Sequence, residues 1–393
     1  MKADNRTIAL DKFRYVSYAQ EVIFGAGSLA QLGEAVERFG WQGILLCTNH
    51  SMRSSGHIAS LEQILGDRLV LVFDKVQPHV QDTQVEEVLE LADKKKMSAI
   101  IGMGGGSPIG MAKAVAAALE EKRTGRSARA AFPTDQPLIP VIAIPTTYAG
   151  SEMTATYGIT HSHETPPRKV TVSDPKIAPK LVLYDPILTL DLPPEMTAST
   201  GINALAHCIE ALYSITRYPL STAAAVSGVQ HINNALFRSY SHGDDREART
   251  EMLQGAHLAG LSLANVSMGL HHGLCHVLGG TANVPHGIAN SIILPHAIRF
   301  NADATALQLL PAAEAMGIST NGSSPVVAIE TMAQKIFDLG GQMNLPQRLR
   351  DAGVKESDLP RLAQLGFQNR TVQNNPKPIT DSTQIEDLLR AAW

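Results

Sequence analysis

The sequence predicts a chain of two parts: an α/β half built on a parallel sheet over residues 1–191, then an all-α half over residues 192–393. Three observations predict it. Short apolar runs alternate with helical patterns up to about residue 185. Beyond Pro193 strand-like runs become scarce and long helical patterns take over. A length of 393 residues is enough for two cores, and the DLPPE stretch at 191–195 suits a hinge between them.

Taken in order, GILLCT (43–48), LVLVF (69–73), SAIIGM (98–103), VIAIP (141–145) and LVLYD (181–185) are buried-strand runs. Between the second and third lies TQVEEVLELADKKK (83–96), with Val85, Val88, Leu89 and Ala92 on one helical face. Strands separated by helices imply βαβ units and a sheet covered on both faces, with ligands at the strands' carboxyl ends. The polar run EEKRTGRSARAAFPTDQP (120–137) predicts a surface loop. In the second half, 198–213 and 326–339 carry helical patterns, and the chain ends in a helix capped at Thr380 or Asp381.

Composition excludes several classes. Hydrophobic residues make up 44%, charged residues 18%, and the net charge is -4, so nothing favours nucleic acid or an anionic surface. Gly, Ser or His breaks every apolar run before the ~20 residues that span a bilayer. The start lacks the apolar stretch of a secretory signal. Cys47, Cys208 and Cys275 are far apart, without a CxxC, and fit buried free thiols in a cytoplasmic protein.

IGMGGGSPIGMAKAVAAAL (101–119) has the layout strand, glycine turn, helix. Gly104, Gly105 and Gly106 let a ligand approach the backbone, and a helix opening at Ser107 aims free N–H groups at it. A pyrophosphate is the natural occupant; the alternative is a tight strand–helix turn. The following strand ends in IPTTYAGSEMT, where Thr146, Thr147, Tyr148, Ser151 and Thr154 supply hydroxyls for a nucleotide. At another strand end, Asn49 is neutral, so it neither favours NAD nor repels the 2′-phosphate of NADP.

The second half carries a histidine cluster. Asn203 and His207 are four residues apart on a predicted helix, as are His272 and His276 in HHGLCH. His286 sits in VPHG, after a predicted Gly-Gly turn. These groups are candidates for a metal site or for acid/base work.

GGGSPIGMAK, IPTTYAGSEMT, the Asn203/His207 pair, HHGLCHVLGG and VPHG resemble, in order and spacing, the iron-containing (group III) alcohol dehydrogenases, from about residue 20 to the end. The resemblance implies an N-terminal dinucleotide-binding domain facing a helical domain, in the architecture shared with dehydroquinate synthase. It implies NADH or NADPH as cofactor, Lys169 near its phosphates, and a homodimer. It implies a divalent metal, Fe or Zn, held by His207, His272 and His286 with an aspartate, and His276 beside the nicotinamide. Two positions depart from the family pattern: Asn203 replaces the metal-binding aspartate, and Gly110 the aspartate of the glycine loop. With the doubled His271-His272, these departures are similar to the maleylacetate reductases, which reduce the carbon–carbon double bond of maleylacetate to give 3-oxoadipate in bacterial aromatic breakdown. That implies a small anionic oxo-acid substrate and catalytic roles for His272, His276 and His207. Arg168-Lys169 are candidates for the substrate's carboxylates, or a solvated loop. The alternative is a metal-dependent alcohol dehydrogenase or aldehyde reductase of the same family.

Overall fold

The computed structural model describes residues 13–95, 97–125, 136–161, 168–322 and 324–393, with only the backbone of 168 and 169. The chain divides into two compact units. One is Val16–Leu192; the other is Pro193–Trp393 joined, among the described residues, by 13–15. Stacking explains that last attachment: Phe13 and Tyr15 lie on Tyr218, with ring centroids 6.3 and 5.0 Å away.

The strands of the first unit are β1 (Glu21–Phe24), β2 (Ile44–Cys47), β3 (Leu69–Phe73), β4 (Val80–Gln81), β5 (Ala99–Gly104), β6 (Val141–Pro145), β7 (Thr156–His161), β8 (Arg168–Ser173) and β9 (Leu181–Tyr184). Its helices are α1 (Leu32–Arg38), α2 (His50–Ser54), α3 (His57–Leu65), α4 (Asp82–Asp93) and α5 (Gly106–Thr124). Six strands form one parallel sheet in the order β1-β9-β6-β5-β2-β3. Because side chains alternate along a strand, one sheet has two cores. Leu45, Cys47 and Ile100 pack with Val85 and Val88 of α4 and with Met111 and Val115 of α5. Leu46, Ile101, Met103 and Ile144 pack on the other face with Leu32, Val36, Ile58 and Leu61. Going from β2 the chain builds outward to β3, and from β5 it builds the opposite way. The carboxyl ends of β2 and β5 therefore flank the point where strand order reverses, the usual ligand position in such sheets.

Three features differ from expectation. A second sheet, β4-β7-β8, includes an antiparallel β7–β8 pair, so Arg168 and Lys169 lie in a strand and not in a loop. Its mixed polar sequence carries little periodic signal. The run 120–137 starts inside α5, which extends to Thr124 because buried Glu120 holds Lys176 (2.7 Å) and the Leu138 N–H (3.0 Å). The loop expected over 126–135 lies outside the described residues. Lastly, Gly279 and Gly280 are helical, and the turn before His286 falls at Asn283, which adopts the left-handed conformation.

The second unit has helices and no strand among its described residues: α6 (Pro194–Tyr213), α7 (Pro219–Ser241), α8 (Arg246–Leu263), α9 (Leu270–Ala282), α10 (His286–Ala315), α11 (Pro325–Gln342), α12 (Leu359–Gln368) and α13 (Ser382–Ala392), with short 3-10 turns and loops between them. Asp381 caps α13 by accepting the Thr383 N–H at 2.7 Å. The three cysteines are buried and free. No helix among the described residues is long and apolar enough to cross a membrane.

Candidate active site

In the first unit, α5 starts against the end of β5. A Cβ at Gly102 would lie 2.7 Å from the Ile109 Cα, and one at Gly104 would lie 2.9 Å from the Pro108 Cγ. Gly104 also has φ +134°, which side-chain-bearing residues rarely adopt. Gly106 differs: its nearest atom, the Ala149 Cβ, is 3.9 Å away, so there is room over the first turn of α5. No side chain caps that helix at Gly105, which leaves its first N–H groups for an anion. The Ser107 hydroxyl oxygen accepts the His79 N–H at 3.2 Å.

The threonine loop sits beside this turn. Thr146 N–H donates to the Gly104 carbonyl at 3.0 Å, and a Cβ at Gly105 would stand 3.3 Å from the Thr147 Cγ2. The Thr147 and Ser151 hydroxyls are buried and have no hydrogen-bond partner, as suits groups that await a ligand. Tyr148 is wholly buried, and Thr154 is turned inward onto Lys113. Asn49 follows β2, at the reversal point, and its side chain accepts the Ser51 hydroxyl at 2.6 Å. The Lys169 side chain lies outside the described residues. The cradle at Gly106 and the two orphaned hydroxyls fit a dinucleotide. Gly110 has a packing reason: a Cβ there would lie 3.0 Å from the Val80 Cγ2 of the small sheet.

In the second unit, α6 carries Asn203 and His207, α9 carries His271, His272 and His276, and His286 opens α10. The fold brings these rings together. His207 stacks on His272 at 4.7 Å, His272 lies 6.1 Å from His286, and His276 stacks on His286 at 5.9 Å. The α9 backbone is held close to the C-terminal segment, since a Cβ at Gly273 would overlap Val372 at 2.4 Å.

Glu210 at the centre of the cluster is absent from the sequence-based site. Its carboxylate accepts the Gly269 N–H (3.0 Å), the His272 N–H (3.2 Å) and the His272 Nδ1–H, and lies 3.6 Å from His271 Nδ1. A signal was present: Glu210 is three residues after His207, on the same helical face, in the apolar run CIEAL. A charge in a buried face needs a partner. Burial alone would raise the Glu210 carboxyl, but the His272 and His271 rings pull it below the ordinary carboxylate range. His271 Nε2–H donates to the Asn290 carbonyl at 3.1 Å. Glu210 therefore fixes the tautomer of His272, whose proton sits on Nδ1 and whose Nε2 is left buried without a partner. His207 Nδ1 is likewise buried and unpartnered, and burial pushes its pKa well down, so the ring is neutral.

These residues do not fit the iron that the resemblance implies. Position 203 offers a carboxamide and not a carboxylate. Glu210 is already committed to two backbone N–H groups and an imidazole. Among the described residues, the set whose ligand atoms all lie within 4.8 Å of one another is Glu210, His271 and His272, not His207, His272 and His286. In that compact set the His271 and His272 Nδ1 atoms already face each other at 3.1 Å, and all three residues are buried.

Residues 19–186 match the model of the iron-containing alcohol dehydrogenases, and residues 197–393 match that family's C-terminal model. A maleylacetate reductase of Pseudomonas knackmussii is 35% identical over 372 residues, covering 95% of each chain. A lactaldehyde reductase of Escherichia coli is 33% identical, over 94% of this chain and 97% of that one. The crystal structure of a maleylacetate reductase from Agrobacterium tumefaciens matches with a TM-score of 0.82 at 31% identity, over 98% of this chain and 99% of that one. The chain belongs to the iron-containing alcohol dehydrogenase family and is an NAD(P)H-dependent oxidoreductase.

Proposed function

We propose that this enzyme reduces the carbon–carbon double bond of a small dicarboxylic oxo acid of the maleylacetate type, without a metal. The observation that carries this reading is the commitment of Glu210 to His272, beside a carboxamide at Asn203. In this reading the site's carboxylate is spent on orienting an imidazole. In a metal-dependent dehydrogenase a Lewis acid stabilises the alkoxide of the alcohol. Conjugate reduction needs only hydrogen-bonding groups at the ketone oxygen, where enolate charge develops, and a proton for the neighbouring carbon.

Bound NAD(P)H supplies the hydride, which adds to the alkene carbon β to the ketone. His207 offers an Nδ1–H to the ketone oxygen, and His272, held by Glu210 through its Nδ1–H, offers Nε2 beside it in the protonated, imidazolium form. His276 serves as the proton-transfer group for the α carbon. The products are the saturated oxo acid and NAD(P)+. Neutral Asn49 at the β2 end goes with use of both NADH and NADPH. The wider implications of the resemblance belong to the same reading: a homodimer in the cytoplasm, serving bacterial breakdown of aromatic compounds.

The test is NAD(P)H oxidation with maleylacetate and with lactaldehyde, each with and without EDTA. Turnover of maleylacetate that is insensitive to EDTA supports the proposal. Preference for the aldehyde, lost on chelation, overturns it in favour of a metal-dependent aldehyde reductase.

A further inference from the structure

Lys113 is fully buried, yet neither the cofactor cradle nor the histidine cluster uses it. It lies on α5, seven residues after Gly106 and so two turns along the same helical face, about 10 Å from the N-terminus. Its Nζ donates to the carbonyls of Ser151 (2.6 Å), Thr154 (2.8 Å) and Thr156 (2.9 Å). An ammonium has three N–H donors, and here they meet the carbonyls at the two ends of one turn, Ser151 and Thr154, and that of Thr156 at the start of β7, with the Thr154 hydroxyl also 3.2 Å away. That turn begins at Gly150 in the left-handed conformation and closes the threonine loop.

The loop's near end is held by the end of β5 and the N-cap of α5, through Thr146 N–H on Gly104 and Thr147 against Gly105. The loop is thus gripped at both ends, by the β5–α5 junction and by Lys113 of α5, with unpartnered hydroxyls at Thr147 and Ser151. A second anchor comes from the sheet. Buried Glu152, inside the turn, accepts the Tyr184 hydroxyl of β9 at 2.9 Å. Burial raises the Glu152 carboxyl to about 7 and lowers the Lys113 amine to about 7, each charge partly offsetting the other's shift, and the converging carbonyl oxygens around Nζ favour the ammonium. A buried ammonium costs several kcal/mol to desolvate, so an apolar side chain would serve a packing role better. Only a cationic donor satisfies three converging carbonyls at once.

We propose that Lys113 is a positioning residue for the dinucleotide: its ammonium cages the 151–156 turn and so sets the Thr147 and Ser151 hydroxyls against the open space over Gly106. The proposal rests on the enzyme's use of NAD(P)H and not on the identity of its substrate. Binding measured without substrate therefore separates its failure from failure of the maleylacetate reading.

The experiment titrates NADH and ADP-ribose by fluorescence into wild type, Lys113→Met and Tyr184→Phe, and measures kcat and KM for NADH in parallel. Lys113→Met is expected to raise the Kd of both ligands about tenfold or more, with kcat at saturating NADH within about threefold of wild type. Equal losses for NADH and ADP-ribose place the effect at the phosphate and ribose end. Unchanged Kd values with a lowered Tm would make Lys113 a structural staple and overturn the proposal. If Lys113→Met does not fold, Tyr184→Phe decides. A Kd raised about threefold supports the proposal, and an unchanged Kd overturns it.

Discussion

Glu210 and His272 share two contacts across the α6–α9 interface: the carboxylate accepts both the ring Nδ1–H and the backbone N–H of the histidine. One carboxylate thus sets the position of the helix and the tautomer of the ring, in the way that outer carboxylates orient imidazoles in many active sites. His272→Ala is expected to lower kcat by about 10²-fold, and Glu210→Gln by about 10- to 100-fold, with the NADH Kd unchanged in both. Because Glu210 acts through His272, the double variant should cost little more than His272→Ala alone. Additive losses in steady-state kinetics would mean that Glu210 acts elsewhere.

Metal content tests the neutral donor set. The purified enzyme is expected to hold little iron or zinc, and EDTA should leave its rate nearly unchanged. Asn203→Asp restores a carboxylate beside His207 and should raise metal occupancy after incubation with Zn²⁺, as read by elemental analysis. Failure of Asn203→Asp to bind any metal would show that these rings do not converge even with the fourth ligand present.

Two neighbouring glycines should respond differently to the same methyl group. Gly104→Ala forces a Cβ to 2.9 Å from Pro108 at φ +134°, so its stability should fall, seen as a lower Tm. Gly106→Ala meets nothing closer than 3.9 Å, so the fold should persist. Its methyl instead enters the space assigned to the phosphates, and the NADH Kd should rise about tenfold or more. Unaltered NADH binding by Gly106→Ala would move the phosphates away from this turn.

His296 gives the helical unit an acid-sensitive group. Burial, with Arg299 and Arg348 nearby, lowers its pKa to about 4, against 6.5 for an ordinary histidine. The folded protein therefore keeps it neutral where the unfolded chain would protonate it. Its contribution is fully present above pH 6.5 and is lost as pH falls towards 4, an effect of about 2 to 3 kcal/mol. His296→Gln should flatten the fall of Tm over that window. An identical pH profile in the variant would assign the acid sensitivity to other groups.

Much of the fold is legible in local pattern. The apolar runs that became β2, β5, β6 and β9 stand out because a strand buried on both faces has no polar position, and the edge strand β3 is apolar as well, though half-buried. The Asn203/His207 and His272/His276 pairs are visible because helical spacing alone puts residues four apart on one face. Local pattern fails where the partner is distant in sequence. In the antiparallel β7–β8 pair, β7 is half-buried along its length, and only the pairing between the two strands defines them. Tyr148 and Thr154 belong to the same hydroxyl-rich run as Thr147, yet Tyr148 is wholly buried and Thr154 is turned onto Lys113, whereas the Thr147 and Ser151 hydroxyls are left without a partner.

The sequence by itself determined five strands of the main sheet, the glycine cradle and the absence of an aspartate at position 203, because each is a property of residue type and spacing. Only the tertiary structure decided which carboxylate completes the histidine cluster and where the buried lysine is used. Glu210 meets His272 across 62 positions, and Lys113 meets Thr156 across 43. Buried charges must find partners wherever the fold brings them, and no local pattern records where that is.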